Sequence, residues 1–278
     1  MSNTGLRAPA CGTLWASLTD RQQTSNMKNI LIISLLISQT ILSFGQVVKT
    51  TKKKVDTQEG TATFYVLASN DTVKHGEYQI KAYTGNRVLL KGTYSNNKKV
   101  GLWTEQYYGK LYTGPKATGH YDNDIKTEDW TYFDYEGDTV LIYNWTDNRV
   151  VFSKLCATDT DKYTVIEDGK ENKLKLDCPP TCATGREYFL YQFTREIGEH
   201  ADLFNKVGDS LYKLETKISI TIDKNSSVTE ISYSTDEKKE LKEIIEKFVN
   251  SYKWIAGKKD GQNVTTKFEF PINQSFQF

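Results

Sequence analysis

The segment Gly92 to Tyr108 reads GTYSNNKKVGLWTEQYY, and its pattern decides the fold of the first half of the chain. A glycine and a tyrosine come first, a polar stretch from Ser95 to Lys99 follows, and a second glycine then precedes Trp103. Asparagine-rich stretches of this kind form tight turns, whereas aromatic residues fit the pleated surface of a strand. The segment therefore predicts a β-hairpin with an aromatic side chain on each strand.

The same arrangement recurs along the chain. Tyr78, Trp103 and Trp130 are 25 and 27 residues apart, and Tyr94 and Tyr121 form a second series with a spacing of 27. One hairpin cannot bury an aromatic face alone, but stacked hairpins can. We therefore predict stacked β-hairpins over residues 61–150, with the large aromatics in the core. The alternate positions should face water and are a candidate binding surface: Gln79, Lys81, Thr104 and Gln106.

These glycine–aromatic elements resemble the MORN-repeat family as it occurs in bacterial envelope proteins. The residues that carry the resemblance are Gly76/Tyr78, Gly92/Tyr94, Gly101/Trp103 and Gly119/Tyr121. A further unit departs from the pattern, because Glu128 stands where the family has glycine. The resemblance covers residues 61–150 and implies a β-repeat domain.

The N-terminal part of the chain contains the pattern of an export signal. Met27-Lys28-Asn29 is a short basic start, Ile30 to Phe44 is an apolar run, and the run ends small-x-small at Ser43-Phe44-Gly45. This pattern is typical of a secretory signal peptide, whereas a membrane-spanning helix needs about 20 apolar residues. We expect residues 27–45 to be the signal, with cleavage between Gly45 and Gln46, and a periplasmic or otherwise exported protein. A retained membrane anchor is the alternative.

Two segments flank this signal. Residues 1–26 show no periodicity and make no sense in front of a signal peptide, so we expect translation to start at Met27 and the first 26 residues to be a misassigned leader. Residues 46–60 are polar and basic, and we expect them to form a linker.

Residues 186–278 show the periodicities of a small α+β domain. A helix is predicted over 186–207, where apolar residues recur at helical spacing, and strands are predicted over 217–222 and 228–233. Ser234-Thr235-Asp236-Glu237 is typical of a capping box that opens a second helix, and Val264 to Phe270 should be the last strand. The predicted order is α-β-β-α-β, and the whole protein should be mainly β with this α+β part.

The end of this region resembles the TonB C-terminal domain of Bacteroidetes-type proteins. The resemblance rests on Trp254 to Gly257, Asp260 to Val264 and Phe270-Pro271-Ile272 with the terminal phenylalanines, while the family's frequent Tyr-Pro dipeptide is absent. In that family the domain binds a segment of an outer-membrane receptor by strand addition beside its last strand. The resemblance implies a protein partner of that kind and this candidate partner-strand edge: Val264, Thr265, Thr266, Lys267, Phe268, Glu269 and Phe270.

Three cysteines lie in residues 151–185, which we expect to be a connector with one or two strands. In an oxidising compartment one pair can form a disulfide, and Cys178 and Cys182 are the candidate pair, with free thiols as the alternative. The spacing Cys178-Pro-Pro-Thr-Cys182 is not that of a redox motif or a zinc knuckle. We predict no metal and no cofactor.

The sequence offers little support for a catalytic or a nucleic-acid-binding function. The net charge is +1, whereas a protein that coats nucleic acid needs a basic face. His75, His120 and His200 are not at metal-ligand spacing. Gly208-Asp209-Ser210-Leu211 matches the nucleophile motif of GDSL-type esterases, but no histidine follows Ser210 to serve as the base.

The sequence therefore predicts an exported, non-enzymatic protein without catalytic residues, which mediates protein–protein interaction in the cell envelope and has no evident small-molecule substrate. The alternative is a TonB-type energy transducer that couples to outer-membrane receptors for transmembrane transport. Such a transducer needs a long spacer, and the chain has no proline between Gln46 and Gly114 to stiffen one.

Overall fold

A computed structural model of the chain describes residues 48–85, 87–108, 114–204, 211–235 and 238–277. The predicted leader, the signal peptide with its cleavage position Gly45–Gln46, and Ser210 lie outside these residues. Antiparallel sheets dominate the described part, which confirms the prediction of a mainly β protein. None of the helices within these ranges is long and apolar enough to span a membrane.

The first sheet is a nine-stranded antiparallel meander, in which each strand pairs with the next one in sequence. We call it the repeat sheet. Its strands are β1 (Thr50–Asp56), β2 (Gly60–Leu67), β3 (Asn70–Ala82), β4 (Val88–Ser95), β5 (Lys98–Gln106), β6 (Pro115–Asp122), β7 (Ile125–Phe133), β8 (Thr139–Asn144) and β9 (Arg149–Ser153).

Local sequence explains the hairpins of the repeat sheet. The hairpin predicted from Gly92 to Tyr108 is β4 and β5, and its turn places Asn96 and Asn97 at φ angles of 49° and 66°. Asparagine tolerates this left-handed conformation better than most residues. The linker prediction for residues 46–60 was wrong, because Thr50–Asp56 form β1, which pairs along its whole length with β2. A lysine-rich strand of low hydrophobicity is typical of a sheet edge.

Trp103 and Trp130 fill the core of the repeat sheet, as their spacing predicted. Their exposed fractions are 1% and 0%. Each indole lies against a glycine of the neighbouring strand, since a Cβ added at Gly92 would lie 2.1 Å from Trp103 and one at Gly119 would lie 2.3 Å from Trp130. The glycine–aromatic pattern therefore has a steric cause. The indole of one strand occupies the space that a side chain would need at the glycine position of the neighbouring strand.

The second sheet is built from the C-terminal half, in the strand order β11-β10-β17-β13-β14, with β16 also paired to β17. Its strands are β10 (Lys162–Glu167), β11 (Lys170–Lys175), β13 (Leu211–Ile222), β14 (Val228–Tyr233), β16 (Gly257–Lys259) and β17 (Gln262–Gln277). Two short strands, β12 (Thr181–Cys182) and β15 (Trp254–Ile255), pair with each other. The helices are α1 (Lys154–Thr158), α2 (Arg186–Glu199) and α3 (Lys239–Asn250), and a 3₁₀ turn spans Ala201–Phe204.

The order α-β-β-α-β is present from α2 to β17, with the short strands β15 and β16 before β17, and both helices differ from the prediction. Helix α2 ends at Glu199 rather than at residue 207. Ser234 does not cap α3, which begins at Lys239 without a side-chain cap. The Ser234 hydroxyl instead accepts a hydrogen bond of 2.8 Å from the backbone N–H of Lys217, so it joins β14 to β13.

Helix α2 contributes to both hydrophobic cores. Phe189 and Phe193 pack into the core of the second sheet. Tyr188 belongs to the core of the repeat sheet, where its ring centroid lies 5.6 Å from that of Tyr132. The residues that the sequence divides into a repeat region and a C-terminal region are therefore connected by packing through one helix.

Candidate functional site

The edge of β17 is the first candidate site, because the sequence predicted a partner strand there. On one side β17 pairs with β13 from Thr266 to Gln277. On its other side Thr265, Thr266 and Lys267 pair with β10, and Val264 pairs with Gly257 of β16. The prediction of an open edge is therefore wrong for Val264 to Lys267. For Thr265 to Lys267 the cause is a hairpin from the predicted connector, and for Val264 it is β16.

This covering hairpin, β10 and β11, is fixed at its base by a disulfide. Cys156 precedes β10 and Cys178 follows β11, and the two are bonded to each other. The predicted pairing of Cys178 with Cys182 was therefore wrong. Cys182 is a buried thiol whose Sγ lies 3.1 Å from the backbone oxygen of Gly185, and burial raises its pKa to about 11.

A groove of about 420 Å³ opens beside β17 where β10 begins, at Lys162. We call it the β17 groove. Its base is apolar, because Phe268 and Phe270 of β17 are buried in the core. Its walls come from three elements and include Lys162, Tyr163, Lys173, Arg186 and Leu190. On this side of β17 the last three residues of the predicted edge therefore line an opening and do not pair with another strand. They are Phe268, Glu269 and Phe270.

Arg186 is held in the wall of this groove. Its Nη2 donates a hydrogen bond of 2.9 Å to the hydroxyl of Tyr163, and its guanidinium carbon lies 5.3 Å from the centroid of Phe268. Its Nε is buried and has no acceptor among the described residues. A buried donor without an acceptor costs free energy, and a carboxylate is the acceptor that a guanidinium group binds best.

Positive charge exceeds negative charge around the β17 groove. The cations of its lining are Lys162, Lys173, Arg186 and Lys267, and the anions are Asp161 and Glu269. Burial raises the pKa of Glu269, but hydrogen bonds and charges from Lys217 and Lys173 outweigh this effect and lower it. The carboxylate is therefore charged at neutral pH and held by those lysines, at 3.1 and 3.5 Å.

A buried polar cluster lies where α2 meets the repeat sheet. The Glu105 carboxylate lies 3.1 Å from Lys116 Nζ and accepts a hydrogen bond of 3.1 Å from the Tyr188 hydroxyl. Burial raises the pKa of Glu105, but the charges of Lys116 and Lys126 and these hydrogen bonds outweigh it and lower the pKa. This cluster stabilises the contact of α2 with the sheet.

Lysines also lie over the repeat aromatics, and the sequence analysis missed them. Lys74, Lys99 and Lys126 precede Tyr78, Trp103 and Trp130 by four residues each, so they share the same spacing of 25 and 27. Their Nζ atoms lie 5.6, 4.7 and 4.1 Å from those ring centroids. Ammonium groups at this distance are attracted to the ring faces. We call this arrangement of lysines over rings the lysine ladder. The regular spacing of the three lysines was the pattern that could have revealed it.

Lys126 has the most enclosed position in this ladder. Besides Trp130, three more rings surround its ammonium group within 5.8 Å: Tyr132, Trp145 and Tyr188. Burial lowers its pKa to about 8, although the charge of Glu105 acts in the opposite direction.

The opposite face of the repeat sheet is polar. One cross-strand row runs through Thr63, Gln79, Lys91, Thr104, Thr118 and Thr131, each paired with the next. The candidate surface residues Gln79 and Thr104 belong to this row, and Lys81 and Gln106 lie two positions farther along their strands. All four are half-buried.

The three histidines do not come together. His120 Nδ1 lies 3.4 Å from Glu128, His200 Nε2 lies 3.6 Å from Glu196, and His75 Nδ1 accepts a hydrogen bond from the backbone of Asn96. In the part of the chain that the structure describes, no group of three or more His, Cys, Asp or Glu residues is placed to hold a metal ion. Comparison with protein-family models, curated proteins and solved structures finds no match to this chain.

Proposed function

We propose that this chain is an exported, non-enzymatic protein of the cell envelope that binds a partner polypeptide at the β17 groove. In this proposal the repeat sheet is a MORN-like domain and the C-terminal part is a TonB-C-like domain. The observation that supports it best concerns Arg186, whose side chain lines the groove and whose buried Nε has no acceptor within the described residues.

The groove suits a short strand that continues β10. Residues 265–267 of β17 are already paired, and the next residues along the same edge, Glu269 and Phe270, line the groove. A partner strand would add to their backbone groups and place a carboxylate at Arg186. Pro271 limits the length of such a strand, because proline has no N–H to donate.

This arrangement differs from the one that the TonB resemblance implies. In the family the partner adds along the last strand, whereas in this chain the hairpin of β10 and β11 takes the first part of that edge. We propose that the partner strand pairs with β17 in line with β10, so that the two strands lie end to end along the same edge. The polar row on the repeat sheet is a second surface for the same partner, because its side chains face away from the aromatic core.

Site-directed cross-linking in the native host tests this proposal. A photoreactive residue replaces Lys162, which is exposed in the groove wall, and a matched variant carries it at Lys239, which is exposed on α3. We expect a protein cross-link from position 162 only, and mass spectrometry then identifies the partner segment. The same product from both positions would contradict binding in the groove.

A peptide of that segment then tests the role of Arg186 by titration calorimetry. Arg186→Gln should weaken binding about tenfold or more, because it removes a charge-assisted pair, and Arg186→Lys should have an intermediate effect. The control is Arg195→Gln on the same helix, since Arg195 pairs with Glu59 and Glu199 away from the groove. Equal affinity of the parent and Arg186→Gln would exclude this site.

A further inference from the structure

A second, larger cleft of about 660 Å³ lies where the last hairpin of the repeat sheet meets the C-terminal part. Four segments form it: the turn between β8 and β9, the turn between β13 and β14, the loop after α3, and the hairpin of β16 and β17. We call it the asparagine cleft. Its volume is within the range of about 300–1,000 Å³ that is usual for small-ligand sites.

The charge of this cleft is of one sign. Arg149, Lys253 and Lys258 line it, and none of its lining residues is acidic. Two carboxylates of the adjoining turns have other partners. Asp147 pairs with Arg149 at 3.4 Å, and Asp223 accepts hydrogen bonds from the backbone N–H groups of its own turn. Lys253 and Lys258 form no ion pair within the described part of the chain.

Amide side chains give the cleft its second property. Asn148, Asn225, Asn250 and Asn263 come from all four segments and line it together with Ser226 and Ser227. The Asn250 amide forms no hydrogen bond with the described residues, and Asn263 uses only its Nδ2, toward the backbone oxygen of Lys224. Primary amides both donate and accept hydrogen bonds, so they match the hydroxyl groups of a sugar.

The cleft is also held in shape. The Asn148 Oδ1 accepts hydrogen bonds from the Tyr143 hydroxyl, at 2.8 Å, and from Lys253 Nζ. The Ser226 hydroxyl accepts a hydrogen bond of 3.0 Å from the backbone N–H of Ala256. These contacts fix the two facing turns, and preformed sites lose less entropy when a ligand binds.

We propose that the asparagine cleft binds an acidic saccharide, a sugar unit that carries a carboxylate. Lys253 and Lys258 recognise the carboxylate, and the asparagine and serine side chains recognise the hydroxyl groups. A free sugar acid and a unit of an acidic polysaccharide present the same chemistry. An acidic peptide lacks the hydroxyl groups that the amides would satisfy.

Titration of the full chain with defined probes tests this proposal. The probes are galacturonic acid, its α-1,4-linked tetrasaccharide, the fully methyl-esterified tetrasaccharide as the uncharged match, and hexaglutamate as the acidic peptide. We expect the charged tetrasaccharide to bind and to shift the nuclear magnetic resonance signals of the Asn250 and Asn263 side-chain amides. If galacturonic acid binds more weakly than the charged tetrasaccharide, the site is assigned to a polysaccharide. If the two bind equally well, the site is assigned to a free sugar acid.

Two variants and a control locate the site. Lys258→Gln should weaken binding about tenfold by removing one charged contact, and Asn250→Ala should weaken it about fivefold. Lys224→Gln makes the same charge change on the turn beside the cleft, outside its lining, and should leave the affinity within about twofold. Circular dichroism confirms that each variant is folded.

Several results would overturn the proposal. They are the absence of binding by both acidic sugars, equal affinity for the methyl ester, equal affinity for hexaglutamate, or an equal loss of affinity in Lys224→Gln and Lys258→Gln. Equal affinity for hexaglutamate would make the cleft a site for acidic peptides instead.

Discussion

At the scale of single residues, the tryptophans of the repeat sheet make a strong prediction. Trp130→Ala should destabilise the protein by about 3–5 kcal/mol, because the indole is fully buried against Gly119. The matched control is Ile125→Ala on the same strand, which should change stability by less than about 0.5 kcal/mol, since Ile125 is 68% exposed. Urea denaturation measures both. Similar stabilities for the two variants would show that Trp130 is not part of the core.

The lowered pKa of Lys126 predicts an unusual dependence of the protein's stability on pH. Its pKa of about 8 in the folded chain lies below the ordinary value of 10.5, so between these values the unfolded chain binds more protons than the folded one. Stability should therefore rise with pH in this window. Compared with Lys126→Met, the parent should gain about 1 kcal/mol between pH 7 and pH 9.

Urea denaturation of the parent and of Lys126→Met at both pH values measures this gain. Because both proteins contain the same tyrosines and carboxylates, the difference between them isolates the lysine. A constant difference between pH 7 and pH 9 would mean that the Lys126 ammonium is well solvated in the folded chain.

The sequence predicted the aromatic core but not its lysines, and the reason is physical. Aromatic residues at a fixed spacing predict burial directly, because burial of their large apolar surface dominates core energetics. Lys99 stands in a polar run that predicts a turn, and nothing local indicates that its ammonium group reaches the rings of Trp103 and Tyr121. Only the repetition of the lysines carried that information.

At the scale of elements, the hairpin of β10 and β11 depends on its disulfide. The double variant Cys156→Ala/Cys178→Ala should lose about 3 kcal/mol of stability, as expected for a cross-link that closes a loop of this size. Hydrogen exchange should speed up at those backbone amides of Thr265 to Lys267 that face β10, before it does so in β13. Unchanged protection there would show that pairing alone holds the hairpin.

The sequence contains a turn pattern for this hairpin, within the segment predicted to be a connector. Asp168-Gly169 joins the two strands, with φ angles of 50° and 73°, as the tight turn of a hairpin requires. A turn pattern predicts that two strands pair with each other but says nothing about which sheet they join. The pairing of β10 with β17 is a contact between distant residues, and it covers Thr265 to Lys267 of the predicted open edge.

At the scale of the whole molecule, α2 makes the two sheets interdependent. Because Tyr188 packs in one core and Phe189 in the other, calorimetry should record one unfolding transition for the described part of the chain. Tyr188→Ala should lower the midpoint of that single transition. Two separate transitions in the parent protein would show that the two sheets unfold independently.

Tyr188→Phe separates packing from hydrogen bonding in this contact. The ring stays against Tyr132, but Glu105 loses a donor, which should cost about 1–3 kcal/mol. The matched control is Tyr191→Phe on the same helix, whose hydroxyl makes only long contacts of 3.3 and 3.4 Å with the backbone of Tyr108. Equal stabilities of these two variants would mean that the bond to Glu105 contributes nothing.

One outer strand of each sheet, β1 and β11, also affects how copies of this molecule meet. Strand β1 carries Lys52, Lys53 and Lys54 in succession, and β11 reads KENKLK. If two copies joined edge to edge through these strands, rows of like charge would come within about 5 Å of each other. Contact between copies through β1 or β11 should therefore be disfavoured in dilute buffer, and salt that screens these charges should promote it.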